Sequence, residues 1–448
     1  MLTDYFQAFA GKRVALLGLA RSNLPLVEPL YAAGATLILC DKDIKEGFAQ
    51  LPRWQAMGCE LHFGDDYLSG WEADVVIRTP GIRPDIGRLP EMAAKGAVIT
   101  SEMELFFERC PCMTYAVTGS DGKTTTTSLI AAMVEQSGVK TWLGGNIGHP
   151  LLPMIDKISK GDRVVVELSS FQLMGMKRSA DVAVLTNISP NHLDWHKDYD
   201  EYKQAKETIF RYQAAEQTVV LNRDNYESYK LHGRAKGNVV TFGIDNDANI
   251  TIKGGKLTVF GTEIMDMADW KLPGRYNAEN LLAAVGATWD RVPLHAIVTA
   301  AKNFTGVEHR LEWVRRHNGV DYYNNSIATS PSRVVASLKA YEKKIILIAG
   351  GAEKGIPFDE LAAELPVHVK HLILTGNSAA RQIEAAAKAT DNCPPIMRVD
   401  TMQQAVEAAA CLAGEGDTVA LMPACTAFDA YKDFAARGED FKRLVRDL

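Results

Sequence analysis

Long apolar runs are missing from this 448-residue chain, and so is any excess of positive charge. No segment demands a membrane, although 47% of the residues are hydrophobic, enough to fill sizeable cores. Forty-nine Lys and Arg against 55 Asp and Glu leave a formal net charge of −6, which lacks the basic footprint that nucleic-acid binding needs. Local lysines and backbone N–H groups can still hold a small anion inside an acidic protein. Cysteine is scarce: the seven, at Cys40, Cys59, Cys110, Cys112, Cys393, Cys411 and Cys425, are odd in number and scattered, which fits reduced thiols better than a disulfide framework or a zinc site. The lone C-x-C of Cys110 and Cys112 reads as structural. The start, MLTDYFQAFAGKR, has neither the basic opening nor the apolar stretch of a signal peptide, so a cytoplasmic protein is expected.

Glycine is absent from two places where familiar nucleotide motifs want it. The opening reads as strand, loop, helix, strand (RVALLG, LARSNLPLVEPLYAAG, ATLILCD), a Rossmann-like half. Its first loop, Gly18 to Asn23, keeps one of the three glycines that admit a dinucleotide pyrophosphate, so a complete NAD site is not expected. A single nucleotide across the strand ends remains open, with Ser22 and Asn23 near phosphate and Asp41 near base or ribose; a plain α/β scaffold is the alternative. Thr79, Pro80 and Gly81 follow another apolar strand at the edge where open α/β sheets bind ligands.

The second gap lies in VTGSDGKTTTTS, Val117 to Ser128, where Val117 takes the place of the first glycine of G-x-x-x-x-G-K-[ST]. What remains, G-x-x-G-K-T, sits between an apolar strand (MTYAV) and a helical run that stops near Gly138. Gly119, Ser120, Asp121 and Gly122 would turn backbone N–H groups toward an anion. Lys123 supplies a mobile cation, and Thr124 and Thr125 open the helix, with the Thr124 hydroxyl available to a magnesium ion. The expected ligand is ATP.

Further along, DRVVVELSS ends a strand at Glu167, either a magnesium-binding acid or a carboxylate capping the next element, and ADVAVLTNI ends before Asn191, His192 and Asp194. His192 and His196 are either a metal pair at helical spacing or hydrogen-bonded surface histidines. In YDEYKQAKETIF, the spacing of Tyr199, Tyr202, Lys206 and Ile209 puts Lys206 on the inward stripe of a helix. An ammonium there must reach a partner, lose its charge or snorkel to water, and snorkelling is the default. Asn277 and Asn280 share one face of a helix start, as caps or nucleotide contacts. A third α/β unit follows with IILIAGG, HLILTG and DTVALMPA, and Lys354 lies just past its Gly350 and Gly351. At about 100 to 200 residues per domain, the length suits three: residues 1–109, 110–304 and 305–448. The expected class is α/β, with a Rossmann-like first domain, a P-loop-type central domain with a mainly parallel sheet, and a Rossmann-like third.

Taken in order, TGSDGKTT, GGNIGHP, VELSSFQL, NHLDWH, YKQAKETIF, LPGRYNAEN, EHRLE and PACTAFDAYKDFAARG resemble the Mur ligase family of ATP-dependent amide-forming enzymes over essentially the whole chain. The resemblance implies UDP-N-acetylmuramoyl-L-alanine, D-glutamate and ATP as substrates, an acyl phosphate intermediate in making a peptidoglycan precursor, and a monomer without nucleic-acid or membrane partners. It implies two magnesium ions, one on Thr124 and Glu167 and the other on His192 and a carbamylated Lys206. Asn146 and Ser169 fall on positions for the muramoyl substrate or metal, and Ser22, Asp41, Thr79 and Gly81 on the uridine side. Asn277, Asn280 and Arg310 fall on ATP contacts, and Thr329, Lys354, Thr426 and Phe434 on positions for the amino acid.

Two departures stand out. NSIATS carries Asn325 and Ile327 where the family has an aspartate and a lysine, and Ala427 replaces a serine that helps bind the glutamate carboxylate. These leave the ligase chemistry in place and bear on the choice of amino acid. A catalytically idle homologue would show a damaged phosphate loop or missing metal ligands. Lys123, Thr124, Glu167, His192 and Lys206 are all present.

Overall fold

A computed structural model describes residues 4–43, 50–376 and 378–448. It comprises two compact units, one formed by Met1–Met267 with Glu279–Ala301 and the other by Ala268–Ala278 with Lys302–Leu448. The α/β class expected from the alternation of apolar and amphipathic runs holds throughout.

The first unit contains two sheets. Strands β1 (Arg13–Leu17), β2 (Thr36–Asp41), β3 (Glu60–Phe63), β4 (Val75–Arg78) and β5 (Val98–Ser101) form an all-parallel sheet in the order β3-β2-β1-β4-β5. Its inner strands are nearly continuous apolar runs because helices cover both faces, and Val14 to Leu17 and Val75 to Ile77 are all buried. The order reverses between β1 and β4, so their carboxyl ends form the crevice where such sheets bind ligands.

The second sheet runs through β6 (Met113–Thr118), β7 (Thr141–Gly145), β8 (Arg163–Glu167), β9 (Val182–Leu185), β10 (Thr218–Asn222), β11 (Asn238–Phe242), β12 (Ile250–Lys253), β13 (Lys256–Val259) and β14 (Thr262–Asp266). The order is β14-β13-β12-β11-β10-β9-β6-β8-β7, with β13 pairing antiparallel to both β12 and β14 at one end and every other pairing parallel. Valine is the commonest residue of the parallel strands, each buried valine side chain contributing about 1.5–3 kcal/mol.

The second unit carries β15 (Glu312–His317), β16 (Val320–Asn324), β17 (Ile345–Gly350), β18 (Val369–Thr375), β19 (Ile396–Arg398) and β20 (Thr418–Leu421) in the order β15-β16-β20-β17-β18-β19, only β15 being antiparallel. Helices Pro331–Leu338, Asp359–His368 and Ser378–Lys388 contribute to one apolar core of this unit, and Met402–Leu412 and Phe434–Asp447 to another. Among the described residues, no helix is long and apolar enough to cross a membrane.

Candidate active site

Strands β9, β6 and β8 lie side by side, so one sheet edge receives Thr118 from β6, Glu167 from β8 and, one residue past β9, Thr186. Between β6 and the helix Lys123–Gln136 the chain makes the glycine loop. Gly119 has φ +155°, and a Cβ there would lie 1.8 Å from Thr186 Oγ1; Gly122 has φ +79°, and its Cβ would lie 2.1 Å from Asn280 Oδ1. Both positions need glycine, for backbone conformation and for space. The loop is pinned from beneath. Thr186 Oγ1 donates to Asp121 O (2.6 Å), Asp121 N–H to Asn187 Oδ1 (2.9 Å) and Ser120 N–H to Asn187 O (2.9 Å). Ser120 Oγ donates to Ser189 O (2.9 Å) and lies 2.8 Å from the Tyr202 hydroxyl. Above the loop, the first-turn N–H groups of Thr124 and Thr125 have no intrahelical acceptor and point the positive end of the helix dipole outward.

The charged groups meet at this edge. Lys123 Nζ folds back to donate to Gly119 O (3.0 Å) and Ser120 O (2.9 Å). Thr124 Oγ1 donates to one oxygen of Glu167 (2.7 Å) and Asn146 Nδ2 to the other (2.6 Å), so a buried carboxylate has two neutral donors. Lys206 does not snorkel. Only 2% exposed on the helix Tyr199–Arg211, it donates to the same Gly119 carbonyl (2.6 Å) and lies 4.8 Å from the Tyr202 ring centroid. Burial, reinforced by the nearby Lys123 charge, pushes its pKa far below the usual lysine value. The default of a solvated head fails because the inward stripe of this helix faces the closed underside of the loop.

His192 and His196 are not a helical pair. They lie in a turn before the helix, where His196 N–H donates to His192 O (3.0 Å) and His192 takes φ +53°. His196 is buried, with Nε2 2.9 Å from Ser170 Oγ and Nδ1 3.5 Å from the Glu201 carboxylate; burial lowers its pKa more than Glu201 raises it. His192 is exposed, its ring 4.9 Å from that of Phe171, which also contacts Trp195 and His196. Only His192 therefore offers an open imidazole. Ser169 caps its own short helix, accepting from Gln172 N–H (3.2 Å).

The sugar-nucleotide candidates lie at the carboxyl edge of the first sheet. Ser22 Oγ is 3.4 Å from Thr79 Oγ1 across the β1/β4 crevice, and Asp41 accepts from Leu19 N–H (2.7 Å). Asn23 was expected near phosphate; instead it is fully buried, its amide donating to Leu17, Gly18 and Ile77 carbonyls and clamping the two strand ends. The loop after β4 docks on the histidine turn. Trp195 Nε1 donates to Gly81 O (3.1 Å), and Arg83 donates to Glu201 (2.8 Å) and to Trp195 O (3.0 Å). The Arg83 guanidinium holds the Glu201 carboxyl well below its usual range.

In the second unit, Lys354 Nζ donates to Thr329 Oγ1 (3.2 Å), and Thr426 Oγ1 to Ala352 O (2.9 Å), which commits the threonine's proton to the backbone. Phe434 is 37% exposed and its carbonyl accepts from Ser326 Oγ (2.7 Å). Buried Arg437, unmarked in the sequence reading, ties these loops together through Ser326 Oγ and O (3.0 Å each), Cys425 O (3.2 Å) and Thr426 O (3.0 Å). The departing residues are absorbed into packing. Asn325 donates to Ser337 Oγ (2.8 Å) and accepts from Leu311 N–H (3.3 Å), and Ala427 is buried. Asn277 Nδ2 donates to Pro273 O (2.6 Å), and Arg310 is exposed beside a buried His309. Glu308, His309 and Glu439 could surround a cation, but Lys442 Nζ already lies 2.7 Å from Glu308 and 2.6 Å from Glu439. Tyr202 is marked in the sequence only by its place on the inward stripe, and Thr118, Thr186 and Asn187 are not marked. For Thr186 and Asn187 the signal was available, since both directly follow the apolar run of β9.

The middle-domain model of Mur ligases matches residues 117–288, and the Mur ligase glutamate ligase domain matches residues 309–425. A UDP-N-acetylmuramoylalanine--D-glutamate ligase of Acetivibrio thermocellus is 44% identical over 465 residues, covering 100% of this chain and 99% of that protein. A protein of the same name from Clostridium novyi is 43% identical over 444 residues, covering 98% and 97%. Among solved structures, a UDP-N-acetylmuramoyl-L-alanyl-D-glutamate--2,6-diaminopimelate ligase superposes with a TM-score of 0.61 at 18% identity, covering 98% of this chain and 92% of that one. The UDP-N-acetylmuramate-alanine ligase of Thermotoga maritima gives 0.55 at 18%, covering 97% and 99%.

Proposed function

The chain belongs to the Mur ligase family, and on that premise we propose that it joins D-glutamate to UDP-N-acetylmuramoyl-L-alanine with cleavage of ATP, as a cytoplasmic monomer. The observation that carries the proposal is the convergence, on one sheet edge, of the Gly119–Gly122 cradle, the Lys123 amine and the Thr124–Glu167 pair. Relatives of this extent that bear the D-glutamate ligase name support the choice of acceptor.

In this reading the loop N–H groups and Lys123 hold the triphosphate, and the substrate carboxylate attacks the γ-phosphorus to give an acyl phosphate and ADP. The amine of D-glutamate then adds to the acyl carbon, and the tetrahedral intermediate expels phosphate. The hydroxyl of Thr124 and the carboxylate of Glu167 form an all-oxygen donor set that fits a hard divalent ion, and Asn146 orients the carboxylate. Magnesium bound there would supply charge neutralisation on the transferring phosphoryl group. His192 and Lys206 are the proposed pair for a second ion. An uncharged Lys206 amine can add carbon dioxide, and the resulting carbamate would replace repulsion from Lys123 with attraction. Ser22, Asp41, Thr79 and Gly81 are proposed to face the uridine diphosphate. Lys354 and Thr329 are proposed to face the amino acid, with Phe434 beside them and Thr426 holding their loop. Residues 1–109, 110–304 and 305–448 are the corresponding proposed domains.

Phosphate release from ATP with UDP-N-acetylmuramoyl-L-alanine and a panel of D- and L-amino acids tests the proposal. D-Glutamate should dominate, and Lys123→Ala and Lys206→Ala should abolish turnover, with a short-chain carboxylate restoring the second. Preference for another acceptor, or turnover independent of a divalent cation, would overturn it.

A further inference from the structure

The helix Glu102–Arg109 ends at Cys110, whose N–H still donates to Phe106 O (2.9 Å), and β6 begins at Met113. The three-residue link, Cys110 to Cys112, contains Pro111, whose ring fixes its φ. This tight link leaves the Cys110 and Cys112 sulfurs 3.8 Å apart, with Cys110 partly exposed and Cys112 buried. Among the described residues no other pair of cysteine sulfurs comes this close, and no third metal-ligating side chain joins the two to complete a soft-metal site. We propose that Cys110 and Cys112 are a redox modification site, a dithiol that closes to a disulfide when it meets a hydroperoxide.

The step is two displacements. The Cys110 thiolate attacks one peroxide oxygen, breaking the O–O bond and releasing water or an alcohol to leave a sulfenic acid. The Cys112 sulfur then attacks the Cys110 sulfur, expelling hydroxide, which leaves as water with the Cys112 proton. Two thiols and one peroxide give one disulfide and, for hydrogen peroxide, two waters. The roles follow from exposure and polarity. Cys110 is the more exposed of the two residues, and its sulfur lies 3.5 Å from the Cys112 carbonyl; the hydrogen bond shared by the two sulfurs lowers the Cys110 pKa, while that same bond and burial raise that of Cys112. Closure brings the sulfurs from 3.8 Å, van der Waals contact, to about 2.05 Å, a short movement within one link.

The test uses the reduced full-length protein, treated with equimolar hydrogen peroxide, quenched, alkylated with iodoacetamide and mapped by mass spectrometry. The peptide containing both cysteines should lose two hydrogens and all alkylation, and recover both on addition of dithiothreitol, while exposed Cys411 still alkylates. Cys112→Ser should stop at a Cys110 sulfenic acid captured by dimedone, and Cys110→Ser should leave Cys112 alkylatable. Full alkylation of the pair while Cys411 oxidises, or direct passage of Cys110 to sulfinic acid in the unaltered protein, would overturn the proposal.

Discussion

The cradle at the head of the helix Lys123–Gln136 makes a quantitative prediction, because the same helix carries a matched control at its other end. Gly122 and Gly138 flank the helix with almost the same backbone, φ +79° and +83°. A Cβ on Gly138 would meet nothing within 4 Å. Gly138→Ala should therefore cost only the left-handed backbone penalty, about 1 kcal/mol. At Gly122 the Cβ would lie 2.1 Å from Asn280 Oδ1, an oxygen that is buried and accepts from Thr126 Oγ1 (3.3 Å). Pushing that amide aside breaks the bond and leaves buried polar atoms without it, adding roughly 1–3 kcal/mol. Gly122→Ala should thus be destabilised by about 3 kcal/mol in total and should lose ATP affinity; Gly138→Ala should keep it. Urea midpoints at constant slope give the stabilities and titration calorimetry the affinities. Equal destabilisation of the two variants, or unaltered ATP affinity in Gly122→Ala, would refute the steric reading of the loop.

Two further predictions concern buried charge. Glu102 caps the Leu151 and Leu152 N–H groups (3.1 and 2.8 Å), yet burial pushes its pKa from 4.5 up to about 7. The folded state then holds a proton that the unfolded state has shed, so stability should fall as pH rises through that window, by about 3 kcal/mol at most. Glu102→Gln keeps an acceptor and should match the parent at pH 4.5 but exceed it at pH 8; a pH-independent difference in melting temperature would contradict this. Lys442, almost fully buried, binds Glu308, Glu312 and Glu439, which raise its pKa. Lys442→Met should cost about 3 kcal/mol by leaving the Glu312 carboxylate with no cation from Lys442 and only the neutral donors His309 N–H and Asn324 Nδ2. A raised lysine pKa gives stability that is complete below 10.5 and lost above it, so the deficit should stay level through neutral pH and shrink in strong alkali. Urea titrations at pH 7 and about pH 12 read both.

The parts of the site legible in the sequence are those where chain order fixes geometry. An apolar run ending in G-x-x-G-K-T can only place its loop at a strand's carboxyl end, and Glu167 follows from the same rule one strand away. The spacing around Lys206 likewise gave its inward direction. What lay opposite was not legible, since the loop carbonyl that receives Lys206 lies 87 positions away, and that decides between snorkelling and burial. Asn23 misled for a related reason: an amide beside a nucleotide-style loop looks like a ligand contact until the second strand, whose Ile77 carbonyl it binds, is in place. His192 and His196 have helical spacing without a helix, because the turn that holds them is set by Phe171, Ser170 and Glu201 from elsewhere in the chain.

The charge balance of the loop explains why these choices hang together. Two amines, Lys123 and Lys206, converge on the single Gly119 carbonyl, and the buried Glu167 is held by neutral Thr124 and Asn146. As a ligand-free arrangement this is costly, because one amine is desolvated beside another positive charge. Hydrophobic replacement of such groups commonly stabilises a fold, so their retention calls for a use. On the proposed function, a triphosphate would supply negative charge to Lys123 and a divalent ion positive charge to Glu167, and carbamylation would give Lys206 a negative charge of its own. On this argument Lys206→Met should raise the melting temperature of the ligand-free protein while ending turnover. A variant that melts lower and still turns over would place the lysine in the scaffold instead of the chemistry.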